Sequence, residues 1–180
     1  MKVTTTPLSG LLIIEPRIFA DDRGYFHESY EQKRYAEFGI PHFVQDNFSH
    51  SKQNVLRGLH YQLPQSQGKL VYATRGSIWD VSVDIRKSSP TFGHWFGIEL
   101  SEDNHKQLYI PPGFAHGFCT LSSEADFHYK CTDYYLPSAE HGIIWNDPQL
   151  NITWPIKNPI LSPKDKIHPL LADIHHEIFA

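Results

Sequence analysis

Cysteine is scarce in this chain, with only Cys119 and Cys131 in 180 residues. The two have neither CxxC spacing nor the density of a disulfide scaffold, so a stapled mini-domain is excluded and two buried thiols are expected. Long hydrophobic runs are missing as well. No stretch approaches the roughly 20 apolar residues of a membrane span, and the start at Met1–Pro7 shows no charged region followed by an apolar run. The expectation is a cytoplasmic protein that makes no membrane contact. There is no basic excess either: the net charge is −4 and the pI about 6.3. A general nucleic-acid partner is therefore not expected. Repeats and low-complexity tracts are absent. Helical signal is confined to Glu31–Phe38, closed by Gly39 and Pro41, and to Leu170–Ile178. The length fits one domain over residues 1–180, with a core at about 10–155 and a C-terminal loop and short helix at about 156–180.

What the chain does have is short alternating segments. In Ser77–Arg86 the odd positions from Trp79 to Ile85 are apolar and most even ones polar, which predicts a half-buried strand. Asp126–Thr132 repeats the pattern, with Phe127, Tyr129 and Cys131 sharing a face. Further strands are expected at Leu11–Glu15, Tyr25–Ser29, Phe43–Ser49, Val55–Gln62, Leu70–Thr74, Phe92–Leu100, Gln107–Ile110 and Ile143–Trp145. Turn signals such as Arg75-Gly76-Ser77 and Pro111-Pro112-Gly113 separate them. Many short strands with frequent turns predict an all-β sandwich or barrel with a few short peripheral helices.

One strand carries unusual cargo. Val55–Gln62, followed seven residues later by Lys69, sets Arg57, His60 and an amine along an otherwise apolar run. A buried charge without a partner costs several kcal/mol, so these groups are expected to line a pocket that receives something negative. Strict alternation puts Arg57 and Leu59 on one face and His60 on the other, unless Gly58 marks a bulge that re-aims its neighbours. The twelve histidines raise the question of a metal. A cupin metal site draws two ligands from a His-x-His strand, but here that stretch reads His60-Tyr61-Gln62, while the later Pro111-Pro112-Gly113-Phe114-Ala115-His116 keeps the second cupin motif. The fold signature persists without the ligand set, so no metal is expected. His60 is then a candidate general base, with Asp165 and Asp84 as alternative orienting carboxylates. Tyr129 is a candidate acid or a sheet residue, Lys69 a candidate enolate stabiliser or a solvated strand end. Asp21–Glu28 reads as a turn into a strand, with Arg23 and Glu28 facing either ligand or water.

From about Gly10 to Asp165 the chain resembles the dTDP-4-dehydrorhamnose 3,5-epimerase family. The segments that carry the likeness are Asp22–Glu28, Gln45-Asp46-Asn47, Leu56–Gln62, Gly68–Val71, Gly76–Arg86, Pro111–Phe118, Tyr129–Tyr135 and Trp145–Pro148. The resemblance implies a cofactor-independent jelly roll of the cupin type, assembled as a homodimer and acting on a dTDP-4-keto-6-deoxyhexose. By the family pattern His60 is the base, Asp165 orients it, Tyr129 is the acid and Lys69 stabilises the enolate. The same pattern assigns substrate binding to Arg23, Glu28, Gln45, Asn47, Arg57, Lys69, His116, Tyr135, Glu140 and Lys164. Arg23 and Arg57 would meet the diphosphate, and Tyr135 would stack on thymine. A segment near Arg23 and Glu28 would cross to the partner subunit. The chain departs from the family pattern at Pro163, where an acidic residue is more usual, on the loop that is to hold Asp165. Competing readings are a relative that inverts only C3 or only C5, a sugar-nucleotide-binding cupin without turnover, and a metal-dependent cupin enzyme.

Overall fold

The computed structural model describes residues 1–174. Strands β1 (Lys2–Thr5), β2 (Leu12–Glu15), β3 (Phe19–Asp21) and β4 (Gly24–Phe26) precede helix α1 (Gln32–Ala36). After it come β5 (Gln45–Lys52), β6 (Leu56–Gln62), β7 (Lys69–Arg75) and β8 (Ser77–Asp84). The remainder are β9 (Trp95–Ser101), β10 (Gln107–Ile110), β11 (Phe114–Thr120), β12 (Glu124–Cys131) and β13 (Glu140–Gly142). Two antiparallel sheets result, ordered β1-β2-β10-β7-β12-β5 and β13-β6-β11-β8-β9, with β3 and β4 forming a separate hairpin. This is the all-β sandwich expected from the alternation, with one short α-helix among the described residues.

Apolar clusters occupy three levels. Between the sheets lie Val71, Ile78, Leu100, Leu108, Phe114, Phe118 and Phe127. Burying a ring such as Phe127, 1% exposed, contributes about 2–3 kcal/mol. Outside the second sheet, Leu59, Tyr61, Val81, Val83 and Ile85 are covered by Ile143, Leu150, Leu171 and Ile174. Outside the first sheet, Ile14, Leu70 and Tyr109 meet Tyr35 and Ile40 around α1. The C-terminal segment packs on the outside of the second sheet through Leu171 and Ile174.

That cover corrects the expected half-buried β8. Its odd face packs beneath the C-terminal segment, so its even, polar face must point inward: Asp80, Ser82 and Asp84 are all fully buried. Other boundaries differ for local reasons. Glu31 caps α1 by accepting from the Lys33 and Arg34 amides, so the helix starts one residue later than expected and ends before Gly39. The strand expected at Ile143–Trp145 lies at Glu140–Gly142, continued by reciprocal backbone hydrogen bonds between Ile143 and Leu59. The strand expected at Tyr25–Ser29 is instead the short β4. Strands β1, β3 and β11 were not anticipated, the last because the motif at Pro111–His116 reads as a turn. Of the helix expected at Leu170–Ile178, a 3-10 turn occupies Leu171–Asp173, and residues 175–178 lie outside the described residues.

Gly58 does mark a bulge. His60 pairs with His116 but Arg57 pairs with Phe118, so β6 spends three steps where β11 spends two. The extra residue turns Arg57 and His60 to the same cavity. Gly58 has φ +131°, and a Cβ there would lie 2.5 Å from Gly117 Cα, a backbone atom that cannot step aside. Gly58→Ala is expected to cost about 3 kcal/mol. Denaturant unfolding checks this, and an alanine variant as stable as the parent would show that the strand accepts a side chain at this point.

Candidate functional site

A cavity of about 440 Å³ opens between the sheets. The second sheet contributes Arg57, His60 and His116, and the first contributes Lys69, Tyr129, Gln45 and Asn47. Tyr135, Glu140, Lys164 and Asp165 complete the wall from the loops and the short β13. Eleven of the thirteen sequence-predicted site residues therefore meet in one place. Arg23 and Glu28 do not. The Arg23 side chain is 90% exposed on the β3–β4 hairpin and bound to Asp21 at 2.6 Å, and Glu28 accepts from Arg34 at 2.6 Å. Neither lines the cavity.

His60 donates from Nε2 to Asp165 Oδ1 at 2.6 Å, which leaves Nδ1 as the ring's open basic atom. Asp165 is only 3% exposed. Burial alone would raise its pKa, but the hydrogen bond and charge of His60, with Ser162 Oγ donating to Oδ2 at 2.8 Å, hold it below the usual carboxylate range. Pro163 leaves this contact intact. The choice between the two candidate carboxylates is thereby made, because Asp84 is engaged elsewhere. It accepts from Arg86 at 2.7 Å, Ser89 at 2.6 Å and Thr91 at 2.7 Å. Burial opposes ionisation of Asp84, yet those donors set its pKa at about 2.

The opposite wall is set by β12 and β7, paired Tyr129 to Val71 and Cys131 to Lys69. The alternation of β12 turns Phe127, Tyr129 and Cys131 inward, as expected. Burial pushes the Tyr129 phenol up, so it keeps its proton through the neutral range and can donate it. Burial pushes Lys69 down, countered by Cys131, Glu140 and Asp80. At the mouth, the Tyr135 hydroxyl donates to Glu140 Oε2 at 2.6 Å, and Lys164 pairs with the same carboxylate. Burial works against the Glu140 charge, but Lys164 and Tyr135 hold its pKa low. Gln45 Oε1 accepts from the Tyr135 amide at 2.8 Å and so ties β5 to this rim.

Several contributors escaped the sequence reading. Asp80 accepts from His116 Nε2 at 2.8 Å while fully buried. The signal was its even position on β8, obscured by taking that face as solvated. Ser162, three residues before Asp165, is a short-range turn donor. His168 stands beside Asp165, with Nε2 3.5 Å from Oδ1. His60, Asp165 and His168 bring ligand atoms within 4.8 Å of one another. The 2.6 Å contact between His60 and Asp165 is nevertheless a hydrogen-bond length. Two donors on one zinc ion would stand about 3.3 Å apart, so this arrangement fits a hydrogen-bonded pair and not a ligand set.

Comparison with known proteins gives the same picture. The family model described as dTDP-4-dehydrorhamnose 3,5-epimerase matches residues 5–173. A dTDP-4-dehydrorhamnose 3,5-epimerase of Pseudomonas aeruginosa is 53% identical, over 96% of this chain and 97% of its own. A solved dTDP-6-deoxy-D-glucose-3,5-epimerase from Legionella pneumophila, in complex with dTDP-4-keto-L-rhamnose, superposes with a TM-score of 0.96 at 54% identity. That match covers 99% of this chain and 96% of the other. A dTDP-4-dehydrorhamnose 3-epimerase of Streptomyces niveus is 40% identical, over 96% of this chain and 85% of its own. Because the match runs unbroken through the strands that carry His60, Lys69 and Tyr129 and the loop that carries Asp165, the chain belongs to the dTDP-4-dehydrorhamnose 3,5-epimerase family.

Proposed function

We propose that the protein converts dTDP-4-dehydro-6-deoxy-D-glucose to dTDP-4-dehydro-L-rhamnose by inverting C3 and C5. The observation that carries this reading is the placement of an imidazole and a phenol on opposing sheets across one cavity. The C4 ketone acidifies the protons at C3 and C5. His60 Nδ1 takes one proton from one face, leaving an enolate whose oxygen Lys69 stabilises. The Tyr129 hydroxyl returns a proton to the same carbon from the other face, and the centre is inverted. The protonated His60 and the Tyr129 phenolate then exchange protons with solvent, and the second centre follows. Asp165 fixes the ring of His60 and balances the imidazolium.

Arg57 serves the diphosphate, Tyr135 the thymine face, and Gln45, Asn47, His116, Glu140 and Lys164 the polar groups of sugar and nucleotide. Arg23 and Glu28 act in the partner's site. The hairpin that bears Arg23 exposes Phe19 by 51%, Tyr25 by 57% and Phe26 by 68%, an apolar tip suited to a second copy of the chain. We therefore read the working protein as a homodimer. Mixing an Arg23→Ala protein with a His60→Ala protein is expected to restore activity that neither has alone. Failure to complement after subunit exchange would place Arg23 outside the shared site. The free thiols Cys119 and Cys131 agree with a reducing compartment, and we place the enzyme in the cytoplasm.

The Streptomyces niveus relative favours a second reading, inversion of C3 alone, for which the same base and acid would serve. Product configuration after reductive trapping separates the two. L-rhamnose-configured product supports double inversion, whereas a product inverted only at C3 replaces it with the single-centre reaction.

A further inference from the structure

Asp165 Oδ1 faces two imidazoles. Besides the 2.6 Å bond from His60, His168 Nε2 lies 3.5 Å from the same oxygen, beyond an ordinary hydrogen bond. That nitrogen is buried and has no hydrogen-bond partner among the described residues. An N–H in such a place costs free energy unless it finds an acceptor at some point in the cycle. The ring also packs edge-to-face on His60, with centroids 5.5 Å apart and planes at 76°. Room for it is made by Gly142 of β13, where a Cβ would lie 2.5 Å from His168 Cε1 and Nε2. Strand β13 is therefore shaped around His168.

We propose that His168 is a positioning residue for the His60–Asp165 pair, its ring limiting rotation of His60 and its neutral N–H held ready for Asp165 Oδ1. The inference rests on the epimerase reading for its catalytic consequence. When His60 takes the substrate proton, Asp165 must remain a carboxylate and keep its direction. A neutral donor on the same oxygen stabilises that charge without adding a second cation. Among the described residues, the titratable groups that act on His168 are His60 on β6 and Asp165 and Lys164 on its own loop, while β13 brings Gly142 against the ring. Burial and the charge of His60 lower the His168 pKa, in keeping with a ring that stays neutral beside an imidazolium.

Two variants separate ring from donor: His168→Phe keeps a ring without an N–H, and His168→Gln keeps a neutral donor. His168→Phe is expected to lower kcat about tenfold with KM within about twofold, and His168→Gln to recover most of the loss. In the free protein the NMR resonance of the His60 Nε2–H proton should move downfield in His168→Phe, where no second donor faces Asp165 Oδ1, and return towards the parent position in His168→Gln. That readout needs no turnover, so a parent without epimerase activity would refute the epimerase reading and leave this inference to be decided by the resonance. An unmoved His60 Nε2–H resonance in His168→Phe overturns the proposal, whether or not kcat and the melting temperature fall together.

Discussion

Replacing His60 by alanine lowers turnover by about three orders of magnitude, with dTDP-sugar affinity within about threefold of the parent. The ring is the cavity's imidazole bonded to Asp165, and apart from Arg57 on the same strand the groups that would grip the nucleotide stand on other elements. Single-turnover kinetics and a separate binding titration check both halves of the statement, and unchanged turnover would remove His60 from the mechanism. A stability effect accompanies the kinetic one. Asp165 is held below its usual pKa by His60 against the opposing effect of burial. A carboxyl with a depressed folded pKa adds stability above its unfolded pKa and loses it as pH falls through the folded value. The alanine variant should therefore be less stable than the parent at neutral pH, by about 1–3 kcal/mol, and the gap should close on acidification. Thermal unfolding at about pH 7 and in steps below the unfolded carboxyl value of about 3.9 reads the difference.

Tyr129→Phe is the second large effect. The ring stays packed against Phe127, with which Tyr129 already shares a face, so folding is little disturbed. What disappears is the proton donor on the first sheet. Product formation is expected to fall about a hundredfold, while solvent deuterium still enters recovered substrate at a rate much closer to the parent's. His60 continues to remove the proton and, after exchange with solvent, returns a deuteron to the same face. Equal loss of exchange and of product would mean that Tyr129 acts in proton removal, and the assignment of opposite faces would fail.

The strands were legible in the sequence wherever one face differs from the other. Asp126–Thr132 reads directly as β12 because its inward Phe127, Tyr129 and Cys131 alternate with polar outward residues. Ser77–Arg86 shows the limit of the same rule. Its two faces are correctly separated, but the polar one points inward, since the apolar face is covered by a C-terminal segment more than sixty residues away whose contact no local pattern reports. The bulge at Gly58 could be posed as an alternative and not decided, because it depends on pairing with β11, a strand hidden behind a turn motif. The cluster of site residues followed from the resemblance more than from spacing. His60 and Asp165 lie 105 positions apart, and by sequence Asp84 is an equal candidate that only its three donors set aside. Asp80 and His168 were missed for the same reason, being partners of predicted residues and not bearers of any motif. Arg23 and Glu28 carry a motif yet stand outside the cavity of their own chain, which no single-chain pattern could reveal.

Proton exchange at both centres, through one base and one acid on opposite walls, is the central claim. It is tested most directly by NMR of dTDP-4-dehydro-6-deoxy-D-glucose incubated with the protein in deuterated water, with a reductase present to trap product. Deuterium at both C3 and C5 of an L-rhamnose-configured product is the predicted result. Deuterium at only one carbon, or at neither, would contradict it.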